Sequence, residues 1–207
     1  MTFRKPVRVI GLTGGIATGK SSVARMFEEH GAVVIDADQL SREAVMPGTD
    51  GLARIVATFG DNVLLADGTL DRASLRKIIF SDREKRRQLE QILHPEIKRL
   101  AEEQIAAASA DNKELVFYMA PLLIEAGATE RVDEIWVVTV QPAVQLERLM
   151  ARDGINVEQA QAIIKSQMPL ADKELYGRIV IDNSGTLEQT RQIVNTIWKQ
   201  ETGKFHE

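Results

Sequence analysis

Residues 14–21 of the chain read Gly14-Gly15-Ile16-Ala17-Thr18-Gly19-Lys20-Ser21. They match the pattern G-x-x-x-x-G-K-[ST] at every fixed position, after a strand-like run and before helix-forming sequence that begins at Ser22. Glycines let such a backbone curl until successive N–H groups face phosphate oxygens, and the following helix adds its positive end. We therefore predict that Lys20 reaches the β- and γ-phosphates of a nucleotide and that Ser21 binds Mg²⁺.

Short apolar runs recur along the rest of the chain and are separated by longer helical patterns. Runs of this length that are apolar on both faces are typical of buried parallel strands, with the helices as crossovers. We predict a doubly wound α/β fold whose parallel sheet has five strands. The strand candidates are Val7–Leu12, Ala32–Ile35, Leu115–Met119, Ile135–Val140 and Ile179–Ile181.

A long helical insert separates the second and third strand candidates. It covers residues 37–113, too many for one crossover, and its apolar residues between Leu89 and Ile105 form one helical stripe. His94 and Pro95 should interrupt that stripe, because a proline disfavours helical geometry in the residue before it. We predict that the insert is a substrate-binding sub-domain.

A second helical excursion, residues 143–170, follows the fourth strand candidate. It carries Arg148 and Arg152, whose spacing places them on one helix face. That face is either solvated, with pairing to Glu147 or Asp153, or part of a lid. A lid would bring cations to a transferring phosphoryl group and exclude water. The spacing alone fits both interpretations.

The composition limits the classes of function. The chain has 207 residues, 44% of them apolar, which is enough for a sizeable core, and it has no cysteine. Its net charge of −4 argues against a general nucleic-acid binder. Neither the start MTFRKPVRVIGLTGG nor any later stretch has the apolar length of a secretory or membrane-spanning segment. We expect a cytoplasmic, monomeric protein that acts on a small molecule, without nucleic-acid or membrane partners.

Phosphate loops also occur in GTPases and motor ATPases, and the rest of the sequence argues against both. A GTPase should carry Asn-Lys-x-Asp after a later strand, whereas residues 112–115 read NKEL and lack the final acid. Residues 182–185 read DNSG and match the switch pattern D-x-x-G, but they follow the last strand, out of order. A motor ATPase should end an apolar strand in adjacent acids, whereas Ala-Pro follows the third strand at 120–121.

Asp36 and Asp38 follow the second strand candidate. The carboxyl ends of parallel strands border the ligand crevice, so an aspartate there can orient an attacking hydroxyl or help to hold Mg²⁺. A free aspartate is a weak base, with a pKa of about 3.9, and would accept the proton late. The alternative is that one of the two merely caps the next helix. Glu125, after the third strand, is a further candidate for the edge of the crevice.

Segments beyond the phosphate loop occur in a specific order. Three of these motifs are together far more specific for one protein family than the phosphate loop alone. They are the aspartate pair with Pro47-Gly48, the DG-x-LDR run at 67–72 and the His-Pro dipeptide. The full set is GLTGGIATGKS, VIDADQLSREAVMPGTDG, ATFGDNVLLADGTLDRASLRKIIF, LEQILHPEIK, PLLIE and VIDNSG. This set, spread over nearly the whole chain, resembles the dephospho-CoA kinase family. The resemblance implies transfer of the γ-phosphate of ATP, with Mg²⁺, to the 3′-hydroxyl of dephospho-CoA, the last step of coenzyme A synthesis.

The resemblance also implies a sheet like that of nucleoside monophosphate kinases, in the strand order 2-3-1-4-5. The P-loop core would consist of residues 1–36, 114–142 and 171–207, the CoA-binding insert of 37–113 and the lid of 143–170.

Individual residues acquire roles from the same resemblance. The proposed catalytic aspartate of the family falls on Asp38, which could also contribute to the metal site, and His94 lies in the marker dipeptide of the substrate domain. Arg148 and Arg152 would approach the phosphates from the lid. Asn183 lies in a loop that passes the adenine of ATP. The other nucleotide contacts fall on Gly14, Gly15, Ile16, Ala17, Thr18, Gly19, Lys20, Ser21 and Ser22.

The chain departs from the family pattern at positions 17, 22 and 178. Many relatives have glycine and threonine where this chain has Ala17 and Ser22, and a cradle built from backbone should tolerate both changes. Arg178 stands where relatives often have a small or acidic residue, and the sequence offers no explanation for it.

Two rival hypotheses for the function remain. One is a nucleoside or nucleotide kinase of related fold, and the other is a regulatory protein that binds ATP without transferring phosphate.

Overall fold

A five-stranded parallel sheet, in the order β2-β3-β1-β4-β5, organises the chain. Each strand lies within one residue, at either end, of the run that predicted it. The fold class and the strand order are therefore confirmed. The strands are β1 (Arg8–Thr13), β2 (Val33–Asp36), β3 (Leu115–Met119), β4 (Glu134–Thr139) and β5 (Ile179–Asp182).

This computed structural model describes residues 7–80 and 82–203. The predictions for the ends of the core and for the charged N-terminal start fall partly on residues 1–6 and 204–207, outside the described residues. Residue 81, within the predicted insert, lies outside them as well.

Helices fill the connections between the strands, and one helix follows the last strand. None of those in residues 7–80 and 82–203 combines the length and apolar composition that crossing a membrane requires. They are α1 (Lys20–Glu29), α2 (Ala37–Glu43), α3 (Asp50–Phe59), α4 (Arg72–Phe80), α5 (Arg83–Ala110), α6 (Pro142–Asp153), α7 (Val157–Lys165), α8 (Leu170–Glu174) and α9 (Leu187–Thr202).

The described chain forms two compact units. The first consists of residues up to Ile35 and from Ala107 onwards, and the second of Asp36–Ala106. Helices α1 and α9 pack on the sheet of the first unit, where Phe27, Phe117 and Trp136 are fully buried. The rings of Phe27 and Phe117 stack with their centroids 4.5 Å apart. This aromatic packing fixes the position of α1, the helix that follows the phosphate loop.

The second unit is helical and has its own apolar core, built by Val45, Ile55, Val63, Leu75, Leu89 and Ile92. The prediction that His94 and Pro95 interrupt the helical stripe is wrong, because α5 runs through Pro95 without a break. A proline inside a helix removes one backbone hydrogen bond. Burial of Leu89 and Ile92 in the core compensates for that loss. Asp71 caps the start of α4, since its carboxylate accepts N–H bonds from Ala73 and Ser74.

An ion cluster ties the amino ends of the strands to the last turn of α9. Arg178 Nε lies 2.7 Å from Glu134 Oε2, and its Nη2 lies 2.7 Å from Glu201 Oε2. Arg8 contacts the same two carboxylates, at 3.0 and 2.6 Å. Burial acts to raise the pKa of the Glu201 carboxyl, but hydrogen bonds from Arg8 and Arg178 outweigh burial and lower it. Arg178, which the sequence left unexplained, therefore balances a pair of acids far from the phosphate loop.

Candidate active site

The phosphate loop leaves the carboxyl end of β1, a central strand of the sheet, and enters α1. Gly14 and Gly19 have positive φ angles of 149° and 82°. A Cβ atom at Gly14 would lie 2.3 Å from the carbonyl oxygen of Val138, and one at Gly19 would lie 2.2 Å from Asn183 Nδ2. Glycine is required at both positions, because conformation and space each exclude a side chain.

Lys20 begins α1, and its side chain folds back over the loop. Its Nζ donates to the carbonyl oxygens of Gly14 and Gly15, at 2.9 and 3.0 Å. Ser21 and Ser22 follow in the first turn of α1, at the end where the helix dipole is positive. The curled backbone, the ammonium group and the helix end together are groups that bind an anion such as phosphate.

Asn183 supports the loop from behind. It is 6% exposed, and its Nδ2 donates to the carbonyl oxygen of Thr18 at 2.8 Å. Its Oδ1 accepts a hydrogen bond of 2.6 Å from Thr190 Oγ1, so the side chain is held at both ends. The side chain of Asn183 thus shapes the loop. Its predicted proximity to adenine stays a prediction.

Ala17 has a φ of 58°, in the left-handed region that alanine rarely adopts. This is the position where many relatives were expected to carry glycine. The loop keeps its curl with alanine there, at an energetic cost that glycine would avoid.

The two arginines predicted for the lid lie in different surroundings. Arg148 Nη1 lies 4.0 Å from the point where a Cβ atom at Gly19 would stand, which places its guanidinium beside the loop. Arg152 is turned to its neighbour, with Nε 2.7 Å and Nη2 2.9 Å from the two carboxylate oxygens of Asp153. Helical spacing grouped the two residues, but the side chains do not share a partner.

Lys173 is a buried cation that sequence analysis missed. It lies in α8 with no exposed surface, and its Nζ donates to Glu125 Oε1 and to the carbonyl oxygen of Pro121, both at 2.8 Å. Thr13, the last residue of β1, donates to the same carbonyl at 3.3 Å. Burial acts to raise the pKa of the Glu125 carboxyl, but the hydrogen bond from Lys173 and backbone N–H donors lower it overall.

Gln145 and Gln167 contact the loop directly and were also missed. Both bond to the backbone of Ile16, at 2.9 and 2.8 Å. Glutamine is common on helix surfaces, and the partners of these two lie far away in sequence, so a local pattern gives no signal for them. Only the fold brings them to the loop.

Asp36 and Asp38 belong to the second unit, and the structure separates their roles. Asp36 is the N-cap of α2, since its Oδ1 accepts the backbone N–H groups of Asp38 and Gln39 at 2.9 and 3.4 Å. Asp38 itself is exposed in the first turn of that helix. His94 is exposed on α5. Catalysis by Asp38 and a substrate contact by His94 stay predictions.

Comparison with known proteins identifies the family of this chain. A family profile described as dephospho-CoA kinase matches residues 8–189. The chain belongs to the dephospho-CoA kinase family. The dephospho-CoA kinase of Geobacter sulfurreducens is 52% identical over 192 residues, which cover 93% of this chain and 98% of that protein.

Solved structures agree with the family. The dephospho-CoA kinase from Campylobacter jejuni has a TM-score of 0.72 and 27% identity, covering 95% of this chain and 98% of that one. TT1252 from Thermus thermophilus has a TM-score of 0.80 and 31% identity over the same shares of the two chains. As a member of the dephospho-CoA kinase family, this chain is an ATP-dependent phosphotransferase that acts on dephospho-CoA in the synthesis of coenzyme A.

Proposed function

We propose that the γ-phosphoryl group of ATP passes to the 3′-hydroxyl of dephospho-CoA by in-line displacement at the phosphate loop. The observation that carries this proposal is the curled loop with Lys20 Nζ held by the carbonyls of Gly14 and Gly15. Such a loop presents N–H groups and a cation to the terminal phosphates. Phosphoryl transfer needs mainly alignment and charge stabilisation, which this site can supply.

The roles of the side chains follow from their chemistry. Lys20 neutralises charge between the β- and γ-phosphates, and Arg148, beside the loop, stabilises the transferring group. Asp38 orients the acceptor hydroxyl and takes its proton late. Arg152, paired with Asp153, contributes less. His94 shapes the substrate domain without transferring a proton.

Mg²⁺ is the metal that the family implies, and we propose Ser21 as its protein ligand and Asp38 as a second contributor to its site. Among residues 7–80 and 82–203, no group of three or more His, Cys, Asp or Glu side chains could hold a metal ion. A hydroxyl ligand beside the phosphate cradle suits Mg²⁺, which is usually held through substrate phosphates and few protein groups. When bound with the nucleotide, the ion supplies charge neutralisation at the β- and γ-phosphate oxygens.

We further propose that the enzyme works in the cytoplasm as a monomer, without a nucleic-acid partner. Its net charge of −4 supports the last point.

An acceptor assay tests the proposal directly. Purified protein with ATP and Mg²⁺ should phosphorylate dephospho-CoA, at the 3′-hydroxyl by NMR of the product, and should leave nucleosides and nucleoside monophosphates unmodified. Lys20→Ala should abolish turnover, whereas Lys199→Ala, at an exposed lysine of α9, should retain it. Faster transfer to a nucleoside, or full activity of Lys20→Ala, would overturn the proposal.

A further inference from the structure

Two glutamine side chains hold opposite edges of the backbone at Ile16, inside the phosphate loop. Gln167 Oε1 accepts a hydrogen bond from Ile16 N at 2.8 Å, and Gln145 Nε2 donates one to Ile16 O at 2.9 Å. A backbone N–H only donates and a carbonyl only accepts. The two contacts therefore require the Ile16 N–H to point at Gln167 and the Ile16 carbonyl to point at Gln145. Gln145 is 5% exposed, on α6, and Gln167 follows α7.

These bonds determine the orientation of two successive peptide planes. The described residues contain no cis peptide bond, and a trans peptide points its C=O and N–H in opposite directions. Because Gln167 holds the Ile16 N–H, the carbonyl of Gly15 faces the other way, where Lys20 Nζ donates to it at 3.0 Å. Because Gln145 holds the Ile16 carbonyl, the N–H of Ala17 points away from Gln145.

We propose that Gln145 and Gln167 are positioning residues that preset the peptide orientations of the phosphate loop for the triphosphate. This inference rests on the proposed role of the loop as the nucleotide site. A cradle of N–H groups binds an anion only when those groups already face inward, since a rotated peptide would present a carbonyl oxygen instead. The left-handed φ of 58° at Ala17 is also unfavourable for alanine, so the surrounding contacts have to maintain it.

The two contacts have opposite chemistry, and one substitution distinguishes them. Gln145 acts as a donor, so Gln145→Glu replaces its N–H group with an oxygen that faces the Ile16 carbonyl. Gln167 acts as an acceptor, so Gln167→Glu keeps the oxygen that Ile16 N–H requires. Both variants add the same charge near the same loop. We therefore expect only Gln145→Glu to lose ATP affinity, by about five- to tenfold, the value of one neutral hydrogen bond.

Isothermal titration of each folded variant with ATP, at about pH 8 where a carboxyl is ionised, measures this difference. Gln145→Met and Gln167→Met, which lack both donor and acceptor, should also weaken ATP binding by about five- to tenfold. Gln161→Met, at an exposed glutamine of α7, is the matched control and should bind ATP as the wild type does. In steady-state assays the losses should fall on KM for ATP and leave KM for dephospho-CoA unchanged.

Hydrogen exchange gives a readout that needs no ligand. The amide of Ile16 should exchange faster in Gln167→Met than in the wild type, and at the wild-type rate in Gln167→Glu, because only the glutamate retains an acceptor. Equal exchange rates in all three proteins would contradict the contact itself.

The outcomes separate this inference from the proposed function. If Lys20→Ala loses ATP affinity while Gln145→Met and Gln167→Met bind like the wild type, the positioning role is overturned and the nucleotide site stands. If Gln167→Glu weakens binding as much as Gln145→Glu, charge rather than bond direction is the cause, and the inference is again overturned. If Lys20→Ala binds ATP normally, the proposed nucleotide site itself is wrong.

Discussion

Lys173 and Glu125 form an ion pair of 2.8 Å in which the lysine is fully buried and the carboxylate keeps 23% of its side chain exposed. The lysine also donates to the Pro121 carbonyl. Thr13, the residue immediately before the phosphate loop, donates to the same carbonyl. The pair therefore joins α8 to the segments that follow β3 and end β1. Its asymmetry in burial has a consequence for stability.

Removal of Glu125 should cost more than removal of Lys173. Glu125→Leu leaves a buried ammonium with one carbonyl partner and should lower the free energy of unfolding by about 3 kcal/mol. Lys173→Met leaves a carboxylate that water can reach, so its cost should be about 1–2 kcal/mol. Urea unfolding measures both, and the double variant should lose less than the sum. Lys98→Met, at an exposed pair with Glu102, should change stability by less than about 0.5 kcal/mol. Equal losses for the two single variants would contradict the burial argument.

Arg148 should matter far more than Arg152 for turnover. Arg148→Met removes a guanidinium beside the loop and should lower kcat/KM by about 10²-fold, the usual effect of losing one charge-stabilising donor. Arg152→Met removes a guanidinium that is bound to Asp153 and should lower it by less than about tenfold. Steady-state kinetics with varied ATP measures both. A larger loss in Arg152→Met would show that this arginine leaves Asp153 during the reaction.

Asp38→Asn should lower kcat by about 10²- to 10⁴-fold with little change in stability, because the variant keeps the size of the side chain but cannot take a proton. Asp50→Asn is a matched control, since Asp50 occupies the first turn of α3 as Asp38 does that of α2. The control should retain activity. Near-native kcat in Asp38→Asn would eliminate Asp38 as the acceptor-orienting base.

The same alanine-to-glycine change should have opposite signs at two positions. Ala17→Gly relieves a left-handed alanine and should raise the free energy of unfolding by about 0.5 kcal/mol. Ala162→Gly, at an exposed position within α7, should lower it by about 1 kcal/mol, because glycine weakens a helix. Thermal unfolding of the two variants decides this. A destabilised Ala17→Gly would mean that the alanine methyl group makes compensating contacts.

Acid should remove the stabilising effect of Arg178. The pKa of Glu201 is lowered in the folded protein, so its contribution is complete above the unfolded value of about 4.3 and is lost as pH falls through the lower folded value. Arg178→Leu should therefore destabilise the protein clearly at neutral pH and less at about pH 3, where part of this stabilisation is already lost. Denaturant unfolding at both values checks this, with Arg191→Leu, at an exposed pair with Glu29, as the control. An equal loss at both pH values would assign the effect to packing of Arg178 over the Trp136 ring.

The sequence predicted those parts of the fold that depend on neighbouring residues. β3 lies at Leu115–Met119, as its uniform apolar character indicated, and the glycines at 14 and 19 adopt the backbone that their pattern requires. The helix break predicted at Pro95 was wrong. The prediction used only the local preference of the residue before a proline, which does not show that α5 packs into a core.

The candidate site was predictable only where one segment builds it. The loop and Lys20 lie within eight consecutive residues, whereas Lys173 and Glu125 meet through strand order. Arg148 and Arg152 have the same spacing signal, but which one lies near the loop depends on the adjacent Asp153 and on how α6 packs. Side-chain partners across the sheet are set by three-dimensional packing, and no local pattern encodes them.

The hydrogen bond from Asn183 to the Thr18 carbonyl has a practical implication for protein engineering. Transplanting the octapeptide at 14–21 into a foreign scaffold would carry over its glycines and lysine but leave this external brace behind. The grafted loop would adopt several conformations and bind polyphosphates weakly, unless the host scaffold also supplied a side-chain amide at the corresponding position.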